Sequence, residues 1–167
     1  MILGMTTATY TLVHVVISLI GIVSGLVVMY GLLAGKRLDG WTGLFLATTV
    51  ATSVSGFGFP VDHLLPSHIV GIISLVALAV AILGRYAFHR AGAWGRTYVI
   101  SAAIALYLNV FVLVAQSFQK EPAQREPQRE PPFLIAQLVV MALFVVLTIF
   151  AAKRFREEPA SPRARAA

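Results

Sequence analysis

The chain contains no cysteine and few charged residues. The absence of cysteine excludes disulfide bonds, thiolate metal sites, iron–sulfur clusters and cysteine nucleophiles. Charged residues make up 12% of the 167 residues, about half of the roughly 25% that is typical of soluble domains, whereas 58% are hydrophobic. Such a chain cannot cover its apolar surface with polar groups. The composition therefore predicts a protein that resides in a lipid bilayer.

Basic residues are in excess, but their distribution is not that of a nucleic-acid-binding protein. The formal net charge is +6 at pH 7. The Lys and Arg residues lie in short clusters beside apolar stretches rather than along one face, so no nucleic-acid partner is predicted. The first ten residues contain no Lys or Arg, and the apolar stretch after them is too long for a signal-peptide core. No cleaved signal peptide is expected.

Five apolar stretches are long enough to cross a hydrocarbon core as helices, which takes about 20 residues. They lie at 8–33, 41–59, 67–84, 97–118 and 133–152. Val, Ile and Thr are frequent in them, but lipid requires each backbone polar group to be bonded within its own segment, and this favours helices. The sequence predicts an all-α fold, a polytopic membrane bundle of five transmembrane helices in a single domain at 1–153.

Two polar segments interrupt or follow this domain. Residues 119–132 contain the tetrapeptide Gln-Arg-Glu-Pro twice in tandem. A charged, proline-rich repeat cannot bury a core, so it predicts a mobile linker. Residues 154–167 are predicted to form a disordered basic tail, with arginines that are able to contact anionic lipid headgroups.

The distribution of Lys and Arg predicts the orientation of the bundle. Ten of them lie in the 34–40 and 85–96 loops and the C-terminal tail, against three in the 119–132 linker on the other side. Because Lys and Arg concentrate in cytoplasmic loops, the N-terminus is predicted outside and the C-terminus in the cytoplasm. The expected location is a bacterial inner membrane.

Small residues recur at helical spacing in the first three stretches. Lipid gives helices little hydrophobic reason to associate, so close packing through small residues has to hold them together. The first three helices are therefore predicted to form a tight core, and the uniformly apolar fifth is predicted at the periphery. The same residues are candidates for contact with a second copy or a partner subunit: Gly21, Gly25, Gly43, Ala47, Ala51 and Ser55.

Several polar residues are predicted near the outer membrane boundary. If Leu33 lies at the inner boundary, about 30 Å of helix at 1.5 Å per residue reaches back to His14. His68 follows Ser67, a predicted N-cap, and opens the third helix at the same level. Gln116 shares that level near the end of the fourth helix, and Asn109 is expected deeper, near the midplane. Asp62 and His63 lie in the hairpin between the second and third helices.

This group permits several chemistries. A b-type haem between His14 and His68 is one, and a transition metal bound by His14, Asp62, His63 and His68 is another, although their spacing matches no compact metal motif. A quinone or other small ligand bonded by a histidine with Asn109 or Gln116 is a third. The alternative without a ligand is that interfacial histidines tolerate the boundary and Asn109 bonds a neighbouring helix.

No pattern in the sequence predicts an enzyme. Ser67 and His68 are adjacent and no nucleophile-elbow motif is present, so a hydrolase arrangement with Asp62 is not favoured. The predicted function is a binding, assembly or accessory subunit. The alternatives are a membrane redox protein and a small transporter or channel, although the absence of acidic or basic residues within the spans argues against ion coupling.

Six segments carry a resemblance to known proteins: GKRLDGWTGLFLATTVATSVSGFGFP, LPSHIVGIISL, AGAW, ALYLNVFVLV, PPFLIAQLVV and AAKRFR. Together they resemble a family of small proteobacterial membrane proteins without an established activity. The resemblance covers nearly the whole chain. It implies the membrane class and a bacterial inner-membrane location, and it assigns no role to any residue.

Overall fold

The computed structural model describes residue 2 and residues 4–59, 66–119 and 131–155. These residues form five α-helices: α1 (Thr7–Leu33), α2 (Asp39–Gly56), α3 (Pro66–Ile82), α4 (Ala93–Gln119) and α5 (Pro131–Arg154). A π-helical turn, Leu83–Ala87, continues α3. The described ranges contain no β-strand beyond an isolated bridge between Ile2 and Met5. The predicted all-α class is confirmed.

Four helices in the described ranges are long and apolar enough to cross a membrane, as in a multi-pass membrane protein. They are Thr7–Leu33, Ser67–Ala87, Ala93–Phe118 and Pro131–Arg154. The fifth helix, α2, has 18 residues and includes Asp39 and several Gly, Ser and Thr residues. Its crossing of the membrane stays a prediction. Most of the predicted linker and tail, residues 120–130 and 156–167, lies outside the described residues.

Local sequence explains both ends of α1. Thr6 is the N-cap, and its side chain accepts a hydrogen bond from the Thr9 amide at 3.2 Å. At the other end Gly35 adopts a positive φ of 67°. The Gly35 and Lys36 amides then donate to the carbonyls of Leu32 and Gly31 at 3.3 and 2.8 Å, as in a Schellman motif.

The second and third helices depart from the predicted boundaries. The second apolar stretch was predicted to extend to residue 59, but α2 ends at Gly56 and the amide of Gly58 donates to the Ser55 carbonyl at 3.0 Å. Gly58 lies against the Tyr10 hydroxyl, where a Cβ atom would overlap. The prediction of Ser67 as an N-cap is also wrong, because α3 begins at Pro66. Proline suits a first helical position, since its fixed φ is already helical.

The centre of the bundle is α4. It packs against each of the other four helices. Its inward face is almost fully buried and rich in alanine: Tyr98, Val99, Ala102, Ala103, Ala105 and Leu106. The prediction that the first three helices form the core is therefore corrected, because α4 contacts all three of them as well as α5 and supplies the largest part of the buried cluster.

The predicted small-residue surfaces separate into an inner and an outer group. Gly21 and Gly25 are buried, and a Cβ atom on Gly25 would lie 2.9 Å from the Phe45 ring. These two glycines pack inside the chain and are not available to a partner. In contrast, no atom lies within 4 Å of a Cβ built on Gly43, and Ala47 is exposed. Ala51 is half-buried, so partner contact stays a prediction for Gly43, Ala47 and Ala51 on the outer face of α2, whereas the Ser55 hydroxyl contacts His14 of α1.

The fifth helix lies at the periphery, as predicted. Only 17% of its most apolar window is buried, against 33% to 44% in the other three candidate spans. Phe133, Gln137, Phe144 and Ala151 form its inward stripe. The remaining surface is apolar and exposed, which suits contact with lipid.

Candidate functional site

A cavity of about 140 Å³ lies at the end of the bundle where α1 and α3 begin and α2 and α4 end. We call it the histidine cavity. Its polar lining comes from all four of these helices: His14, Ser18, Thr52, Ser53, Ser67, His68, Ser74, Asn109 and Gln116. Aliphatic and aromatic side chains complete the wall, including Leu19, Ile22 and Phe57.

His14 is held by the last turn of α2. Its Nδ1 lies 2.7 Å from the Ser55 hydroxyl, and that hydroxyl donates to the Thr52 carbonyl at 3.1 Å. With the single Ser55 proton on the Thr52 carbonyl, Nδ1 of His14 is the donor and Nε2 of the neutral imidazole is an acceptor; in the other tautomer Ser55 donates to Nδ1. The ring also packs edge-on against Phe59, with centroids 5.3 Å apart.

His68 lies at the start of α3 and is 7% exposed. Its ring packs against Phe57 with the two centroids 5.4 Å apart. Further along the same helix pair, the Ser53 hydroxyl donates to the Ser74 hydroxyl at 3.1 Å. The contacts of Phe57 and Ser53 thus fix α3 against α2 and hold His68 at the cavity wall.

Asn109 provides an unused hydrogen-bond donor. It is 8% exposed, and its Nδ2 has no hydrogen-bond partner among the described residues. The Thr52 hydroxyl is also buried and also has no hydrogen-bond partner among the described residues. Leaving a buried polar group unpaired costs about 1–3 kcal/mol. Both residues line the cavity, although the two unpaired atoms are themselves buried.

The absence of a side chain at Gly21 leaves room for polar side chains of the neighbouring helices. A Cβ atom built on Gly21 would lie 3.2 Å from Asn109 Nδ2 and 3.1 Å from the Thr49 hydroxyl. The Thr49 hydroxyl likewise has no partner within the described residues. The missing side chain therefore lets polar atoms of α2 and α4 approach α1 in the interior of the bundle.

The structure brings together all four residues predicted to hold a cofactor, His14, His68, Asn109 and Gln116. That they bind one stays a prediction. Asp62 and His63, the other two predicted metal ligands, lie outside the described residues. Within the ranges that the structure describes, no group of three or more His, Asp or Glu residues is arranged to hold a metal ion.

The sequence did not identify the contribution of α2. Thr52, Ser53 and Ser55 line or support the cavity, and none was predicted as a site residue. The sequence did contain one indication of this contribution. Ser and Thr recur in α2, which is less apolar than its neighbouring helices. Gln137 of α5 donates through Nε2 to the Phe111 carbonyl at 3.1 Å and does not line the cavity.

Comparisons with protein-family models, with curated proteins and with solved structures find no match to this chain. The resemblance to small proteobacterial membrane proteins stays a prediction. The chemistry of the cavity is therefore argued from its own residues.

Proposed function

We propose that the protein is a non-enzymatic binding protein of the membrane, and that the histidine cavity holds an uncharged, ring-sized molecule with a carbonyl or hydroxyl group. A quinone head group is a molecule of this kind. The observation that carries the proposal is that this uncharged cavity is lined by His14, His68 and Asn109, and that the amide nitrogen of Asn109 is buried without a partner among the described residues. The amide donates to a carbonyl of the ligand, and Nε2 of His14 accepts from a ligand hydroxyl.

The volume of the cavity favours a single ring. An engineered apolar cavity of about 150 Å³ in another protein binds benzene, and the histidine cavity measures about 140 Å³. Pockets for larger cofactors occupy about 300–1,000 Å³. Haem between His14 and His68 would require the surrounding helices to separate, so the geometry supports a smaller ligand better.

The lining favours an uncharged ligand. None of the described residues that line the cavity is Asp, Glu, Lys or Arg. A charged molecule would lose its hydration without gaining an ion pair, and this is costly in a low-dielectric interior. A neutral ring with one or two polar atoms can contact the apolar side chains of the wall and form a hydrogen bond with the side-chain amide of Asn109.

The protein is proposed to cross a bacterial inner membrane five times, with α2 as the fifth span. At about 1.5 Å per residue, its 18 residues extend about 27 Å, close to the thickness of a hydrocarbon core. Asp39 at its start pairs with Arg85, whereas Ser55 near its end bonds His14 at the opposite end of the bundle. The Lys and Arg count supports an outside N-terminus and a cytoplasmic C-terminus.

Replacement of Asn109 tests the binding function. The purified protein in neutral detergent is equilibrated with a decyl-substituted benzoquinone, and bound quinone is measured by dialysis. We expect Asn109→Leu to bind about tenfold more weakly, because one hydrogen bond to the ligand is lost. Its thermal midpoint should be unchanged or higher, since the substitution removes an unpaired buried donor.

Gln137→Leu is the matched control. It also replaces a buried amide with an apolar residue of similar volume, but Gln137 lies outside the cavity. We expect unchanged quinone affinity, since Gln137 makes its hydrogen bond to α4 outside the cavity. Failure of the unaltered protein to bind the quinone, or equal weakening in both variants, would contradict the proposal.

A further inference from the structure

A second cavity, of about 740 Å³, lies at the opposite end of the bundle. We call it the basic cavity. Its wall includes basic residues from the α1–α2 connection, the π-helical turn, the loop after it and the end of α5: Lys36, Arg37, Arg85, Arg90, Lys153 and Arg154. We propose that the basic cavity is a binding site for a phosphate-bearing anion.

Arg85 is a fixed guanidinium at the wall of this cavity. The π-helical turn places it where it is 8% exposed. Its Cζ lies 5.4 Å from the centroid of the Tyr86 ring and 5.5 Å from that of Tyr98, so aromatic rings hold the guanidinium in place. It also pairs with the Asp39 carboxylate. Single π-helical turns within α-helices occur frequently at functional sites.

The charge of the cavity is not balanced by the described part of the protein. Asp39 is the only acidic residue in the described ranges, and its side chain is 69% exposed. Arg85 pairs with Asp39, and Arg37 and Arg90 have interactions of their own, which leaves Lys36, Lys153 and Arg154 as the positive charges that a bound anion would meet. Like charges gathered at one place repel one another, and a bound anion relieves that repulsion. Arg and Lys are also the side chains that bind phosphate, Arg through paired hydrogen bonds and Lys as a point charge.

The loop after the π-helical turn has an uncommon backbone conformation. His89 and Arg90 have positive φ values of 50° and 59°, although neither is glycine. The amide of Arg90 donates to the Gly84 carbonyl at 2.8 Å, which fixes the loop against the turn. Conformations of this kind cost free energy and are concentrated at ligand-binding sites. Here the result is that Arg90 lines the same cavity as Arg85.

The size and position of the cavity indicate what kind of phosphate compound it takes. Its volume is within the range of about 300–1,000 Å³ that small organic ligands occupy. It lies where α1 and α5 end, and Arg154 Nη1 donates to the Leu33 carbonyl at 2.9 Å there. A phosphate group can reach this position from an anionic lipid headgroup or from a soluble phosphate ester, and the chemistry of recognition is the same for both.

The test uses the full chain in neutral detergent with two probes. Inorganic pyrophosphate represents the soluble source, and its binding is measured by calorimetric titration. Phosphatidylglycerol, compared with phosphatidylcholine in mixed micelles, represents the lipid source, and retained lipid is counted by native mass spectrometry. Binding of pyrophosphate alone identifies a soluble ester, selective retention of phosphatidylglycerol alone identifies a lipid, and binding of both identifies the phosphate group itself.

The variants Lys153→Gln and Arg96→Gln distinguish binding in the basic cavity from a general attraction of anions to positive charge on the protein surface. Each removes one positive charge from an exposed side chain, but only Lys153 lines the cavity. We expect Lys153→Gln to weaken binding of the recognised probe about tenfold and Arg96→Gln to leave it unchanged. The proposal is overturned if neither probe binds, if Lys153→Gln binds as tightly as the unaltered protein, or if both variants weaken binding equally.

Discussion

At the scale of single residues, Gly25 shows how the bundle depends on the absence of a side chain. A Cβ atom there would lie 2.5 Å from Leu106 Cδ1 and 2.9 Å from the Phe45 ring. Both neighbours are 1% exposed, so a shift of either side chain disturbs the packed core around it. We expect Gly25→Ala to destabilise the protein by about 1–3 kcal/mol, because added volume in a packed core forces strain. Thermal unfolding in detergent, followed by circular dichroism, measures the change.

Gly43→Ala is the control for this substitution. Nothing lies within 4 Å of its Cβ position, so the added methyl group meets open space. We expect an unchanged or slightly higher thermal midpoint, since alanine favours a helix over glycine by about 1 kcal/mol. Equal losses from the two substitutions would mean that packing at Gly25 does not stabilise the bundle.

The residues of the histidine cavity were predictable only in part. Counting helix depth from Leu33 placed His14 and His68 at one level, and the structure brings both to one cavity. The unpartnered state of Asn109 was not predictable, because it depends on which helices face Gly21. Thr52 was missed for a related reason. Threonine within a membrane helix usually bonds its own backbone, and the sequence does not show where that bond is absent.

At the scale of the helices, the end of α1 depends on one residue in a left-handed conformation. Gly35 has a φ of 67°, which strains any residue with a Cβ atom. We expect Gly35→Ala to destabilise the protein by about 1 kcal/mol. Gly40→Ala is the control, since its Cβ position is also open but its φ is not positive. The prediction is contradicted if thermal unfolding gives the two variants the same midpoint.

The positions of the helices along the chain were predicted better than their local conformations. The apolar stretch 8–33 agrees with α1 to within one residue at each end, because the lengths of apolar runs set where helices can lie in lipid. The π-helical turn Leu83–Ala87 was not predicted. Its conformation accompanies the contacts of Arg85 with Asp39 and Tyr98, and such contacts between distant residues leave no local pattern in the sequence.

At the scale of the whole molecule, the structure has two chemically different ends. The histidine cavity at one end is lined without charged residues in the described ranges, whereas the basic cavity at the other end gathers six. Positive charge at one membrane face was predictable from the loops alone. The central position of α4 was not, because small residues show that a helix can pack closely but do not identify its neighbour.

The crossing of α2 decides how these two ends relate to the membrane. Because the chain contains no cysteine, single introduced cysteines report their side of the membrane through an impermeant maleimide. If α2 crosses, Asp62→Cys should be labelled in intact spheroplasts, and Arg37→Cys only after lysis. His89→Cys should behave like Arg37→Cys, since Arg37 and the neighbouring Arg90 line the basic cavity. Labelling of positions 37 and 62 from the same side would leave four spans. Labelling of position 37, but not 62, in intact spheroplasts would reverse the orientation and place the basic cavity outside.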